Sequence, residues 1–322
     1  MKRSKLLWVG LLGLVLFSCQ REDELPRVDP SSNAATNRWI FEVMDQVYLW
    51  LEDMRTPIAE TSDPEDYFES LLFRPTDRFS VIYPDYQELI NSLNGITLEA
   101  GYEFNLYREA EGSANVIAEV SYIKRNSPSS LVDLKRGDFI THINNTRLTD
   151  TNFRDLLGQI SSQHTLRYSR FNTESGSFEE MPEVSLTPVQ LAENPNFLDS
   201  VYTINGEKIG YVVYHFFAPG PDPENPAYNN EMDQIFAKFK SEGIQHLIVD
   251  FRYNGGGFVS SAVNLASLIA PDVGNTDVFS KTKYNSFLTE NVEDLRNVQT
   301  EFLSKTENLG PILEGNRVYI LT

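Results

Sequence analysis

The segment LIVDFRYNGGGFVSSAVNLASLIA, residues 247–270, constrains this chain more than any other. An apolar run, Leu247 to Val249, ends in Asp250, Phe251 and Arg252. Three consecutive glycines follow, Gly255, Gly256 and Gly257, and then a run with helical spacing. A strand that breaks into glycines and opens a helix aims backbone N–H groups at one point, where an anion can sit. Phosphate is a poor occupant, because no Lys-Ser or Lys-Thr follows the glycines. No Gly-x-Ser-x-Gly elbow surrounds Ser260 and Ser261 either, so these serines read as helix-opening caps.

Around this segment strands and helices alternate. VYTINGEKIGYVVYHF reads as two strands joined at Asn205-Gly206, a hairpin signal. An amphipathic helix, NNEMDQIFAKFKSEG, stops at Gly243, and the strand IQHLIVDF leads into the glycines. The region from about residue 183 is therefore α/β, with Leu247 to Val249 as a buried central strand. NRVYILT, at the end of the sequence, reads as a further strand.

The 322 residues allow two or three domains. Trp39, Ile40, Val43, Met44, Val47, Trp50 and Leu51 fall at helical steps, and a second helix is expected near Asp63 with Pro64 in its first turn. From about Phe79 strands dominate: GYEFNLY, NVIAEVSYI, DFITHIN and TLRYSRF. One helix, with Phe153, Leu156, Leu157 and Ile160 on one face, interrupts them. The formal charge of −19 argues against nucleic acid, since phosphate neutralisation needs clustered Lys and Arg. His215 and His246, in or beside strands, read as packed or hydrogen-bonded residues rather than bases, and Asp222 and Glu224 as parts of a solvated turn whose spacing fits no calcium loop.

The N-terminus carries Lys2, Arg3 and Lys5 before an apolar run from Leu6 to Phe17, too short for a membrane span and suited to a signal peptide. It ends in LFSC, which resembles a bacterial lipobox with Cys19 as the lipidated residue. The QREDE that follows is similar to the acidic surface-export signal of some Gram-negative lipoproteins. An outer-membrane lipoprotein is expected, surface-exposed or facing the periplasm. Cys19 is the single cysteine, which leaves no intrachain disulfide and no thiol catalyst in the mature domains.

Two stretches carry a family resemblance. NSPSSLVDLKRGDFITHINNTRL is similar to the signature of bacterial PDZ domains, with Gly137-Asp138 and Asn144-Asn145 in the expected places and Asp133 where a Gly is usual. Gly101, Tyr102, Glu103 and Phe104 resemble the loop whose amides receive a peptide's C-terminal carboxylate. GYVVYHF, the amphipathic helix and HLIVDFRYNGGG then resemble the tail-specific, or C-terminal processing, serine peptidases, which join a PDZ domain to a crotonase-like core. The order of parts matches that family, and the co-occurrence of both motifs is stronger than either alone.

The resemblance implies an α+β and α/β multidomain chain: signal peptide 1–18, tether 19–36, helical N-terminal domain 37–90, PDZ domain 91–175, and the first part of a crotonase-like peptidase core, 180–322. It makes Gly255 and Gly256 half of an oxyanion hole, Asp250 and Arg252 the pair that fixes the turn, and Gly257 a point of close backbone approach. It puts the nucleophilic Ser and the general-base Lys beyond Thr322, so no catalytic residue is expected within these 322 residues and the core is expected to be incomplete. Substrates would be unfolded or C-terminally exposed proteins, the membrane would be reached through a lipid anchor, and no cofactor or metal is called for. A non-catalytic surface lipoprotein that holds peptides through the same parts is the alternative.

Overall fold

The computed structural model describes residues 29, 31–222, 224–313, 315 and 317–322. Cys19, the signal peptide and most of the tether lie outside them. The chain divides into two compact units: one holds the described residues up to Ile82 with Tyr284–Glu293, the other Tyr83–Lys283 with Asp294–Thr322. No helix among the described residues is long and apolar enough to cross a membrane.

The first unit is helical. Helix α1, Asn33–Val47, is capped by Ser32, whose Oγ accepts from the Ala35 N–H. Helix α2, Pro64–Leu71, has Asp63 as its cap and Pro64 in its first turn. Their core gathers Ile40, Met44, Tyr48, Tyr67, Leu71 and Leu72. The expected helical stripe is narrower than its spacing suggests: α1 ends at Val47, and Trp39 and Val47 are exposed. A short helix, Ser286–Asn291, returns to this unit, and Asn285 donates to the carbonyls of Gln46 and Tyr48 at 2.9 Å each.

The second unit opens with helix α3, Tyr86–Leu93, which runs past residue 90, where the helical domain was expected to end, and lies in the stretch after Phe79 where strands were expected to dominate. Its start is set by Asp85, which caps the Glu88 N–H; eight residues are too few for periodicity alone to reveal. Then come β1 (Ile96–Glu99), β2 (Tyr102–Arg108), β3 (Val116–Ile123), β4 (Phe139–Ile143), β5 (Thr146–Arg147), helix α4 (Phe153–Gly158), β6 (His164–Asn172), β7 (Ser177–Glu180), β8 (Val184–Leu186) and β9 (Val189–Ala192). Most of these strands form one antiparallel sheet in the order β2-β3-β4-β6-β7, with β5 on β4 and β8 on β6. The chain thus stays with this sheet to Leu186, slightly past the expected change of region at 183. Alternation places Val116, Ala118 and Val120 of β3 and Leu166 and Tyr168 of β6 in a core closed by Leu156 of α4. β1 and β9 make a separate antiparallel ribbon.

The remaining elements are α/β. Strands β10 (Asn196–Ile204) and β11 (Glu207–Tyr214) form the expected hairpin, with Asn205 and Gly206 both at positive φ as a primed turn requires. Helix α5 (Ala227–Glu242) ends at Gly243 in the left-handed region and leads to β12 (His246–Asp250). Helix α6 (Val259–Ile269), the ribbon of β13 (Val278–Thr282) and β14 (Val298–Glu301), and β15 (Val318–Leu321) follow. The sheet order is β10-β11-β12-β15, with β12 parallel to both neighbours. Leu247 and Val249 point into a core with Phe236, Phe239 and Leu268. β12 is the buried parallel strand that the apolar run predicts, and its end is where a ligand site forms in such sheets.

Candidate functional site

β12 delivers Asp250 to the sheet's end with only 3% of its surface exposed. The carboxylate accepts from Arg252 Nε at 3.0 Å, Arg252 Nη2 at 2.7 Å, the Arg252 backbone N–H at 3.1 Å and Tyr211 Oη at 2.7 Å. Burial acts to raise its pKa, but the bonds from Arg252 and Tyr211 outweigh it and hold the group down to about 2. Asp250 therefore stays ionised and locks the direction in which the chain leaves the strand.

The turn is closed by Asn254. Its Nδ2 donates to the Tyr214 carbonyl at 3.0 Å, and its Oδ1 accepts from the Gly256 N–H at 2.8 Å. The Gly256 carbonyl accepts from Phe217 N–H at 2.8 Å, and Phe258 N–H donates to the Phe217 carbonyl at 2.7 Å. Gly257, at φ +133°, lies against this backbone, so that a Cβ there would meet the Phe217 oxygen at 2.2 Å. Gly255 has open space around it, and no partner for its N–H is found among the described residues. Of the two expected anion donors, Gly255 is available and Gly256 is held by Asn254. Ser260 is exposed, whereas Ser261 is buried under the start of α6.

The second predicted site lies at the start of β2. Gly101, at φ +82°, has its carbonyl bonded by the Lys124 N–H at 2.9 Å and Ser127 Oγ at 3.3 Å. Tyr102 is buried, with its hydroxyl 3.0 Å from His164 Nε2, and burial pushes its phenol well above the usual range. Phe104 packs on the sheet's core, and the register shifts between it and Glu103. β2 is the terminal strand on its sheet's path, which leaves one edge for an added strand.

Glu103 turns instead to a cluster that the sequence does not announce. Lys124 Nζ lies 2.8 Å from Glu99, 2.8 Å from Glu103 and 3.2 Å from Glu193. Glu193 also accepts from His215 Nδ1 at 2.8 Å. Burial would raise the Glu193 carboxyl, but the His215 bond and the Lys124 charge bring it below its ordinary value. Burial would lower Lys124, and its three carboxylates raise it. These residues lie up to 116 positions apart with no local pattern to join them. His246 sits elsewhere, 3.0 Å from Glu207, and the Asp222 carboxylate accepts from the Glu224 N–H at 3.1 Å. Among the described residues no group of His, Cys, Asp and Glu is arranged to hold a metal ion.

A buried parallel strand ending in a charge-locked glycine turn, beside a separate antiparallel sheet, makes this a mixed α/β protein. Comparison with known proteins places it more closely. The profile of the Peptidase S41 N-terminal domain matches residues 35–81, and that of Peptidase family S41 matches residues 208–313. The chain carries these two S41 domains, in the order that the resemblance to C-terminal processing serine peptidases implies. A putative S41 protease from Bacteroides fragilis NCTC 9343 shares the fold at a TM-score of 0.65 and 24% identity, over 88% of this chain and 70% of that one. The photosystem II D1 C-terminal processing protease matches at a TM-score of 0.41 and 18% identity, over 90% of this chain and 74% of that one. No curated protein matches the chain.

Proposed function

We propose that this chain provides substrate recognition and part of the oxyanion site of a serine-type endopeptidase of the tail-specific class. The carrying observation is the locked turn after β12, which leaves the Gly255 N–H open at the C-terminal end of a parallel strand. Such a donor stabilises the negative oxygen of an acyl-transfer intermediate, typically by ~3 kcal/mol. The Gly256 N–H joins it once its bond to Asn254 Oδ1 is exchanged for the oxyanion. Gly257 sets the backbone spacing, and Asp250 and Arg252 hold the turn. The sheet containing β2 acts as the PDZ domain, capturing an exposed protein C-terminus at residues 101–104. The nucleophilic Ser and base Lys come from sequence after Thr322, attached to a crotonase-like core. Cys19 carries the lipid that tethers the protein to the outer membrane.

The test is to read the coding sequence past Thr322 and assay the extended protein on an unfolded substrate with an apolar C-terminus. A Ser-Ala-Ser-x-Ser-like segment followed by a Lys, with cleavage lost on replacing that Ser, supports the reading. A stop codon at position 323 removes catalysis by this chain. The bond from the Gly256 N–H to Asn254 favours a second reading, a peptide-binding lipoprotein without catalysis. Peptide binding without cleavage by the extended protein would select it.

A further inference from the structure

Three Asn-Gly pairs occur in the sequence: Asn94-Gly95, Asn205-Gly206 and Asn254-Gly255. Such a pair is self-reactive, because the glycine nitrogen can attack the Asn side-chain carbon and expel ammonia with no side chain in the way. Attack is favoured by a glycine N–H that is free to lose its proton, by room at the glycine, and by a donor on Oδ1 to hold the charge that develops there. The fold treats the three pairs differently.

Asn94 is buried, the Gly95 N–H donates to the Ser92 carbonyl at 3.1 Å, and a Cβ at Gly95 would meet Phe216 at 2.3 Å. Its Oδ1 has no donor among the described residues. Asn205 and Gly206 form the exposed tip of the β10–β11 hairpin, with open space at the glycine. No donor to Asn205 Oδ1 is found among the described residues. Asn254 meets every condition. Gly255 is exposed with open space around it, and its N–H has no partner among the described residues. The Gly256 N–H donates to Asn254 Oδ1 at 2.8 Å, and Asn254 Nδ2 donates to the Tyr214 carbonyl at 3.0 Å. Both ends of the side-chain amide are thus anchored. The bond to Gly256 closes a ring that already contains Asn254 Cγ and the Gly255 nitrogen, which keeps the reacting atoms close.

We propose that Asn254 is a self-modification site, which converts through a cyclic imide with Gly255 to aspartate and isoaspartate. Hydroxide takes the Gly255 N–H proton, the nitrogen bonds to Cγ, and the carbonyl electron pair moves onto Oδ1, held there by the Gly256 N–H. The Cγ–Nδ2 bond then breaks, Nδ2 takes a proton from water, and ammonia leaves. Water opens the imide at Cγ to give aspartate, or at the backbone carbonyl carbon to give isoaspartate. One water is consumed, one ammonia is released, and nothing is oxidised or reduced. The change reaches the proposed anion site. The imide lacks the Gly255 N–H, and either product sets a carboxylate beside the glycine donors, where it competes with an oxyanion. That loss of function rests on the peptidase reading; the modification does not.

The experiment incubates the 322-residue chain, folded and in guanidinium chloride, at mildly alkaline and mildly acidic pH in water enriched in heavy oxygen. Peptide mass spectrometry reads uptake of the label at each Asn-Gly pair, and electron-transfer fragmentation separates aspartate from isoaspartate. In the folded chain at alkaline pH, Asn254 should convert at least threefold faster than Asn205 and at least tenfold faster than Asn94. It should also outpace its own rate in guanidinium chloride, where the three pairs should converge, and it should slow in acid as hydroxide is withdrawn. Folded conversion of Asn254 no faster than that of Asn205, or slower than in guanidinium chloride, overturns the site. Cleavage by the extended protein separates the two readings. Conversion in a protein that never cleaves leaves the modification standing and removes the peptidase. Cleavage without conversion removes the modification alone, and cleavage that persists through full conversion removes its effect on the anion site.

Discussion

Gly101 and Gly255 each stand where a strand meets a turn, yet a Cβ at Gly101 would meet Ser127 Cβ at 2.1 Å, and one at Gly255 would meet nothing within 4 Å. In the first turn the glycine is demanded by crowding and by a φ of +82°. The carbonyl of Gly101 is already bonded twice, and the next side chain is buried. In the second turn the crowding is moved two residues on, to Gly257, and Gly255 is left clear. A glycine-rich turn can therefore bind an anion only where its packing demands and its free donors fall on different residues. Around β12 they do.

The largest way to break this contrast is Gly257→Val. The new side chain would press on the Phe217 backbone at a φ of +133°, where neither neighbour can give way. The cost is expected to reach roughly 4 kcal/mol, combining backbone strain and overpacking. Denaturant melts should show it, and a loss below ~1 kcal/mol would mean that the turn is looser than its geometry. Gly101→Ala should cost less, about 2 kcal/mol, because the obstacle is a side chain and the unfavourable φ is milder. It therefore tests packing of the β2 loop rather than peptide capture.

Acid should weaken the open turn from behind. The Asp250 carboxyl is depressed from its ordinary 3.8 to about 2, so its contribution is complete above about pH 4 and fades as pH falls toward 2. Arg252 is half exposed, which reduces the effect to about 1–2 kcal/mol. The measurement is stability against pH for the parent chain and Asp250→Asn. The difference between them should shrink between pH 4 and pH 2, and a constant difference would show that the charge is not what holds the turn.

Much of this contrast was legible in the sequence, and its gaps have physical causes. The run Leu247 to Val249, the hairpin at Asn205-Gly206 and the Gly243 stop are local signals, and each marks an element of the structure. Helix α3 escaped because it lacks the first-turn proline that marks the equally short α2, and the exposure of Trp39 because spacing does not say which partner covers a face. The resemblance to C-terminal processing peptidases was legible in the order of its motifs, and the profile of Peptidase family S41 matches the stretch, residues 208–313, that holds the glycine turn. The Lys124–Glu193–His215 cluster was not legible, since it is assembled by the meeting of β3, the end of β9 and the end of β11. The bond from Asn254 to the Gly256 N–H was also hidden, because three glycines in a row look equivalent until their donors are placed.

The smallest expected effect is the most discriminating. Gly255→Ala adds one methyl group to a position with open space and a φ outside the left-handed region. Stability should change by less than ~0.5 kcal/mol, and loss of backbone freedom in the unfolded chain favours a slight gain. The alanine keeps the N–H, so a later effect on an acyl-transfer rate would report crowding of the bound oxyanion and not loss of its donor. Thermal melts of Gly255→Ala beside Gly257→Ala make the comparison within one turn. If both destabilise equally, the turn is uniformly packed and holds no free donor. If only Gly257→Ala does, the open N–H at Gly255 is a property of the fold that persists without any ligand present.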